Sequence, residues 1–317
     1  MKLKFLAGLA LAVGLTSTAA AQNVGVGTMS QGTMSYSSGS AIAKVIAEQA
    51  KMQARVQPNS GESVLIPLVD MGELDFGIAN ILESAEAKLG ERAFEGREAK
   101  NLQIATVLFP LKTALFVRAD SDIKSLADLK GKRVTYGFTA MGSMNTVLDG
   151  LLATGGIGPD DIRQVLVPNV VRGADELIAG NADAFYFAVG AAKVTEVDAS
   201  VGGLRMLPMG TSEAQLAAMR KIYPYGYSVN EAPRPGLPGF TEPTPVLAYD
   251  NLLLTSPNTP DEVVYKAMKA LYENQPELAN SFVPFRGFNV KQMYKPDMPL
   301  EFHSGSMRLF KEVGLVK

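Results

Sequence analysis

Two stretches of this chain repeat each other at an offset of 110 residues, and the repeated residues are ones that fix backbone geometry. Gly27 and Gly32 recur as Gly137 and Gly142, Gly32-Thr33-Met34-Ser35 as Gly142-Ser143-Met144-Asn145, and Pro58-Asn59 as Pro168-Asn169. Gly72 and Asp75 recur as Gly180 and Asp183, the offset now 108. Glycine and proline at fixed places demand particular turns rather than particular surfaces. Each copy reads as strand, Gly/Ser/Thr/Met loop, helix, strand, helix and closing strand. Two such units predict two similar α/β lobes, each offering a helix-initiating loop to a shared cleft.

The flanking sequence sets the frame. Lys2 and Lys4, the apolar run Phe5 to Leu15 and the small residues Ala19-Ala20-Ala21 read as a secretory leader over residues 1–21. No later apolar run is long enough to span a bilayer, so a product without a membrane anchor is expected, most simply in a bacterial periplasm. With the two leader lysines removed from 30 basic residues, 28 face 32 acidic ones, a formal charge of about −4. No basic stripe stands out, which argues against a nucleic-acid partner. There is no cysteine, so packing alone must hold an exported fold of this size.

Periodicity places the elements. Asn23 to Val26 is a first strand, with a loop from Gly27 to Gly39. Ile42, Val45, Ile46 and Ala50 form one helical stripe. Ala54 to Gln57 and Asp75 to Ala79 read as strands around a helix carrying Val64, Leu65 and Leu68. Leu102 to Phe109 and Thr113 to Arg118 read as two buried strands, and Ser125 with Asp128 opens a short helix that Gly131 stops. In the second copy, strands are expected at Arg133 to Tyr136, Val165 to Val167 and Ala184 to Val189. Its helices carry Val147, Leu148, Leu151 and Leu152, and then residues 173–179. Residues 223–245, rich in Pro, Gly and Tyr, have neither period and read as a long ordered crossover before a strand over Val246 to Thr255. Thr259-Pro260-Asp261-Glu262 reads as a helix start with Thr259 as N-cap, and the tail from Glu301 to Gly314 as helical. Because the second copy has chain on both sides, the expected lobes are 22–118 plus 246–317, and 119–245. The crossings near 118–132 and 240–248 would be hinges suited to closure around a ligand.

The loops are the first candidates for chemistry. A glycine-punctuated loop entering a helix presents backbone N–H groups at the positive end of the helix dipole, suited to a carboxylate or other anion. Thr28, Ser30, Gly32, Thr33 and Tyr36 in the first loop, and Thr139, Gly142, Ser143, Met144 and Asn145 in the second, are the candidate contacts. Asn80 and Val189 join them, because ligands collect beyond the carboxyl ends of strands in open α/β sheets. Asn59, Ser60 and Asn169 end the middle strands as turn residues or contacts. Met29, Met34, Met141 and Met144 either form an adaptable apolar wall or plug gaps behind the loops. Arg172, Lys112 and Lys193 are charged groups near the expected cleft. His303, the single histidine, reads as a structural hydrogen-bonder.

Familiar enzyme constellations are hard to assemble from this inventory. One histidine and no cysteine leave no His-based triad unless His303 serves, and no His/Cys metal cluster, so no catalytic or metal-ligating residue and no cofactor is assigned. The phosphate-binding Gly-x4-Gly-Lys pattern fails because Thr33 stands where lysine is needed. A two-lobed exported binder of a small carboxylate or amino acid is the expectation, with an enzyme on the same scaffold or a sensor subunit as rivals.

Longer motifs agree. Gly27-Thr28 through Tyr36 and Gly39 is similar to a Gly-Thr-Gly…Tyr-Tyr-Pro-x-Gly loop, Gln57-Pro58-Asn59-Ser60-Gly61-Glu62-Ser63 to Gln-Pro-Thr-Gly-Gly-Ser, and Gly72-Glu73-Leu74-Asp75-Phe76-Gly77 to a Gly-Glu-x-Asp-Leu-Gly strand entry. Ile123 to Val134 looks like a lobe junction shared by many binding proteins, and Phe302-His303-Ser304-Gly305-Ser306 like a closing Leu-His-Pro-Gly-Ala motif. In these residues the chain resembles the TAXI-type solute receptors of TRAP transporters. The resemblance implies the type II periplasmic binding-protein fold, each lobe a mixed sheet flanked by helices. It also implies a TRAP-type integral membrane permease as partner, receiving a small organic acid or amino acid. Ser35, Ser37 and Met29 replace a tyrosine, the proline and a glycine of the loop pattern, so ligand identity does not carry over.

Overall fold

A computed structural model describes residues 22–317, and the expected leader over 1–21 lies outside the described residues. The first copy of the repeat folds as β1 (Asn23–Met29), α1 (Met34–Gln49), β2 (Gln53–Asn59), α2 (Glu62–Asp70) and β3 (Phe76–Asn80), followed by α3 (Ile81–Leu89). The long strand β4 (Gln103–Arg118) leads into the second copy. That copy comprises β5 (Arg133–Gly137), α4 (Met144–Thr154), β6 (Arg163–Val167), α5 (Val170–Ile178), β7 (Ala184–Ala188) and α6 (Ala192–Val201). After β8 (Leu204–Met206), α7 (Glu213–Ile222) and β9 (Tyr227–Glu231), strand β10 (Thr244–Thr255) returns to the first half. Helices α8 (Asp261–Glu273), α9 (Gln275–Ser281) and α10 (Ser304–Glu312) complete it.

All ten strands form one mixed sheet, ordered β2-β1-β3-β10-β4-β7-β5-β6, with β8 on β4 and β9 on β10. The parallel triplets β2-β1-β3 and β6-β5-β7 are the two copies, flanking the antiparallel pair β10-β4. The expected α/β class is therefore present, a mixed sheet flanked by helices.

The repeat is physical as well as textual. Asp75 accepts a hydrogen bond from the Gly25 amide at 2.7 Å, and Asp183 accepts one from the Arg133 amide at 2.8 Å. Each carboxylate thus ties the start of the central strand of its copy. Gly72 and Gly180 both adopt the left-handed conformation (φ +78° and +76°) that lets the chain turn from helix to closing strand. The loop glycines do not match so well: Gly137 has φ +91°, whereas its counterpart Gly27 lies inside β1.

Several expectations need correction. The two strands foreseen over 102–118 are one. Pro110 lacks an N–H but stays extended opposite Asp250, and the ladder absorbs the irregularity as a register shift between Asp250 and Leu252. Strand β1 runs on to Met29, which shortens the expected loop. Val64 faces solvent, because the buried stripe of α2 is Glu62, Leu65, Ile66 and Val69. The crossover 223–245 contains β9, paired with β10 through Val246↔Val229. Alternation there was hidden by its polar residues. Asp128 accepts from the amides of Lys124 and Ser125, and the short helix foreseen there is a single 3-10 turn over Ala127–Leu129. Helix α8 starts one residue later than foreseen, with Pro260 at the N-cap position, while the Thr259 hydroxyl donates to the Asp75 carbonyl.

His303 is a structural residue. Its Nδ1 accepts from the Gly305 amide at 3.0 Å, capping α10, and its Nε2 lies 3.1 Å from the Thr259 carbonyl. Burial lowers its pKa below the ordinary imidazole value, which keeps it neutral for this pair of bonds.

Candidate functional site

The two halves meet along two seams. On the first, the start of α4 docks against α2 and α3. On the second, the start of α1 docks against the start of α6, where the Lys193 amide donates to the Gly32 carbonyl at 3.1 Å. Each predicted loop therefore contacts the opposite half, the second at Ser63 and Glu83 and the first at Lys193.

The first seam is built around buried carboxyls. Asn80 ends β3 and caps α3, its Oδ1 accepting from the Glu83 amide at 2.8 Å. Its Nδ2 donates to Glu62 and, at 3.2 Å, to the Ser143 hydroxyl across the seam. Glu83 projects into the start of α4, where it accepts from the Ser143 hydroxyl (2.8 Å) and the Gly142 amide (3.2 Å), with the Ser143 amide at 3.4 Å. Ser63 donates to it from its own half. The anion seat foreseen at Gly142 and Ser143 exists, and the protein's own Glu83 fills it.

Glu62 sits beside Glu83, fully shielded, and near the buried tyrosines Tyr186, Tyr223 and Tyr249. Burial first, then the charge of Glu83, hold the Glu62 carboxyl well above the ordinary range. Burial raises Glu83 as well, against the pull of its hydroxyl and amide donors. The consistent arrangement is a protonated Glu62 donating to an ionised Glu83, one proton shared by two acids.

The second seam encloses a pocket of about 350 Å³. Met34 walls it from the start of α1, Val189 from the end of β7, and Phe109 to Lys112 from β4. Its polar edge is Lys112, Glu231, Arg234 and Arg286. Buried Glu231 pairs with Lys112 and, at 2.6 Å, with Arg234; Arg286 makes no ion pair among the described residues. Sequence reasoning had reached Lys112, Met34 and Val189. Glu231, Arg234 and Arg286 come from the crossover and the C-terminal segment, far from either repeat.

The remaining candidates serve the loops. The Thr28 hydroxyl donates to the Met29 carbonyl, and Ser30 to the Asn59 carbonyl. Thr33 caps α1 by accepting from the Tyr36 amide at 3.1 Å. Asn145 bonds both polar groups of Gly137. Thr139 is exposed, and Met144 is packed in the core. Tyr36 faces a separate shallow groove beside Lys44 and Phe282, not the pocket. Lys193 is held by Asp175 (2.7 Å) and Glu196 (2.6 Å), and Arg172 by Asp175, and neither lines the pocket. Asn169 bridges the halves, donating to the Ser60 carbonyl at 3.2 Å.

The family model of the NMT1-like family matches residues 26–314. Among solved structures, a protein described as a periplasmic transporter superposes with a TM-score of 0.59 at 13% identity, covering 92% of this chain and 93% of its own. PhnD1 from Prochlorococcus marinus, bound to methylphosphonate, gives 0.56 at 10% identity over 93% and 99%. An ancestral arginine-binding protein bound to arginine gives 0.51 at 19% identity over 84% and 98%. At these identities the likeness is one of fold.

Proposed function

We propose, from the premise that the chain belongs to the NMT1-like family, that it is a periplasmic solute receptor. It captures a small organic acid or amino acid between two lobes, 22–118 with 246–317 and 119–245, and hands it to a membrane permease. The TRAP type is favoured by the motif resemblance at Gly27 to Gly39 and Gln57 to Ser63. Export by the leader supports the periplasmic location. The observation that carries the reading is the pair of seams: each lobe's helix start hydrogen-bonds the other lobe, at Glu83 with Gly142 and at Gly32 with Lys193. In this reading such contacts belong to the shut form of the two halves.

The strand pairing moves the hinges of this reading from 118–132 and 240–248 into β4 near Pro110 to Thr113 and β10 near Leu247 to Asp250, so that Thr113–Val117, paired with β7, and Thr244–Ala248, paired with β9, go with the second lobe. Gly32, Asn80, Gly142 and Ser143 then serve closure, Thr28, Ser30, Thr33 and Asn145 shape the loops, and Val189 with Met34 meets the solute. The relatives bound to methylphosphonate and to arginine support a small charged solute. A receptor is favoured over an enzyme because the seam acid Glu83 is locked in interlobe bonds to Gly142 and Ser143, and its neighbour Glu62 is held by Asn80.

Binding to the closed form stabilises the fold by mass action, about 2.7 kcal/mol at a hundred times Kd. A panel of carboxylates and amino acids at about 1 mM is therefore expected to contain a solute that raises Tm in a concentration-dependent way. A panel without any such solute contradicts the reading.

A further inference from the structure

We infer that the pocket on the second seam seats an organic anion with an apolar body, an assignment that rests on the receptor reading above and names its substrate class. A cavity of about 350 Å³ falls at the lower end of the ~300–1,000 Å³ range of small-molecule sites. Its charges are unbalanced. Glu231 is shared between Lys112 and Arg234, and Arg286 has no counter-ion among the described residues, so three cations face one carboxylate. Arg guanidinium groups match a carboxylate or phosphonate by two parallel hydrogen bonds. The opposite walls, Met34, Phe109, Leu111 and Val189, offer only apolar surface to the rest of the molecule.

The first seam points the same way by exclusion. Its helix-start amides at Gly142 and Ser143 already hold Glu83, and the neighbouring Glu62 adds a second acid. An incoming anion finds no vacant donor there and one negative charge too close. Because the pocket takes its walls from both halves and from β4, filling it with an anion favours the shut form.

Three probes of one shape separate the charge from the body: 3-phenylpropanoate, 3-phenylpropanamide and 3-phenylpropylamine, titrated calorimetrically into the full mature chain. The carboxylate is expected to bind at least about tenfold more tightly than the amide, and the amine not at all, as charge-assisted bonds imply. Arg286→Gln, and the double variant Arg234→Gln with Arg286→Gln, are expected to weaken the carboxylate about tenfold and about a hundredfold and to leave the amide unchanged. Both arginines are exposed, so the variants fold, and thermal denaturation of the unliganded proteins checks this. Equal binding of carboxylate and amide, carboxylate binding untouched by the double variant, or no binding of the carboxylate overturns the assignment. If the solute panel yields a ligand indifferent to both arginines, the receptor reading survives and the anion pocket falls. If the panel yields none, the receptor reading itself has failed.

Discussion

Replacing Gly61 with alanine is expected to weaken solute binding about a hundredfold, with little change in the stability of the unliganded protein. Gly61 has φ −178° and ψ 176°, an extended conformation open to any residue, so alanine strains nothing within its own half. Across the first seam there is no room. A Cβ at this position overlaps the Ala140 carbonyl oxygen and lies 2.6 Å from its carbon and 2.8 Å from Met141 Cγ. Overpacking of this kind costs about 3 kcal/mol, and a cost confined to the shut form appears as a loss of affinity. Calorimetric titration of Gly61→Ala beside Gly158→Ala, a glycine with negative φ and open space around it, checks the prediction. Equal affinity in the two variants means the halves bind without meeting at Gly61.

The second large effect is a pH dependence written into the acid pair. The shut form needs the proton on Glu62, whose carboxyl is pushed up by burial and by Glu83; the open form exposes it and returns it toward its ordinary value of 4.5. The shut form thus binds the proton more tightly. Its advantage is complete below the ordinary value and is lost as pH rises from there to the raised pKa, at one proton, or about tenfold in affinity, per pH unit. Glu62→Gln keeps the geometry, since an amide still accepts from Asn80 and donates to Glu83, but it does not titrate in this window. Its affinity is expected to be flat across pH values at which the parent's falls. A parent profile that rises with pH, or one that Glu62→Gln leaves unaltered, contradicts the shared-proton arrangement.

What the sequence disclosed follows from how local each signal is. Gly72 with Asp75 and Gly180 with Asp183 mark the repeat because each pair performs one backbone task, a left-handed turn and a strand tie, whatever surrounds it. Gly32 and Gly142 marked the helix starts for different reasons, Gly32 by a left-handed turn and Gly142 by its close packing against Ala93. The partners of those starts were hidden, since they belong to the other half. Glu83 stands three residues after the N-cap Asn80 and reads as an ordinary capping-box glutamate; only the folded chain shows it crossing to Ser143. Arg234 and Arg286 lie in segments without helical or strand period, and nothing local aims them at Met34 and Val189. The single strand over 103–118 reads as two because Pro110 interrupts the pattern, whereas its pairing with β10 and β7 depends on residues more than 65 positions away.

A direct test measures the distance between the halves. The chain contains no cysteine, so Glu48→Cys on α1 and Lys221→Cys on α7, both exposed, place two spin labels without competing thiols. Two populations of distance are expected in the unliganded protein, merging into the shorter one at saturating concentrations of the solute found by the thermal panel. A single distance that saturating solute leaves unchanged contradicts closure as the basis of capture.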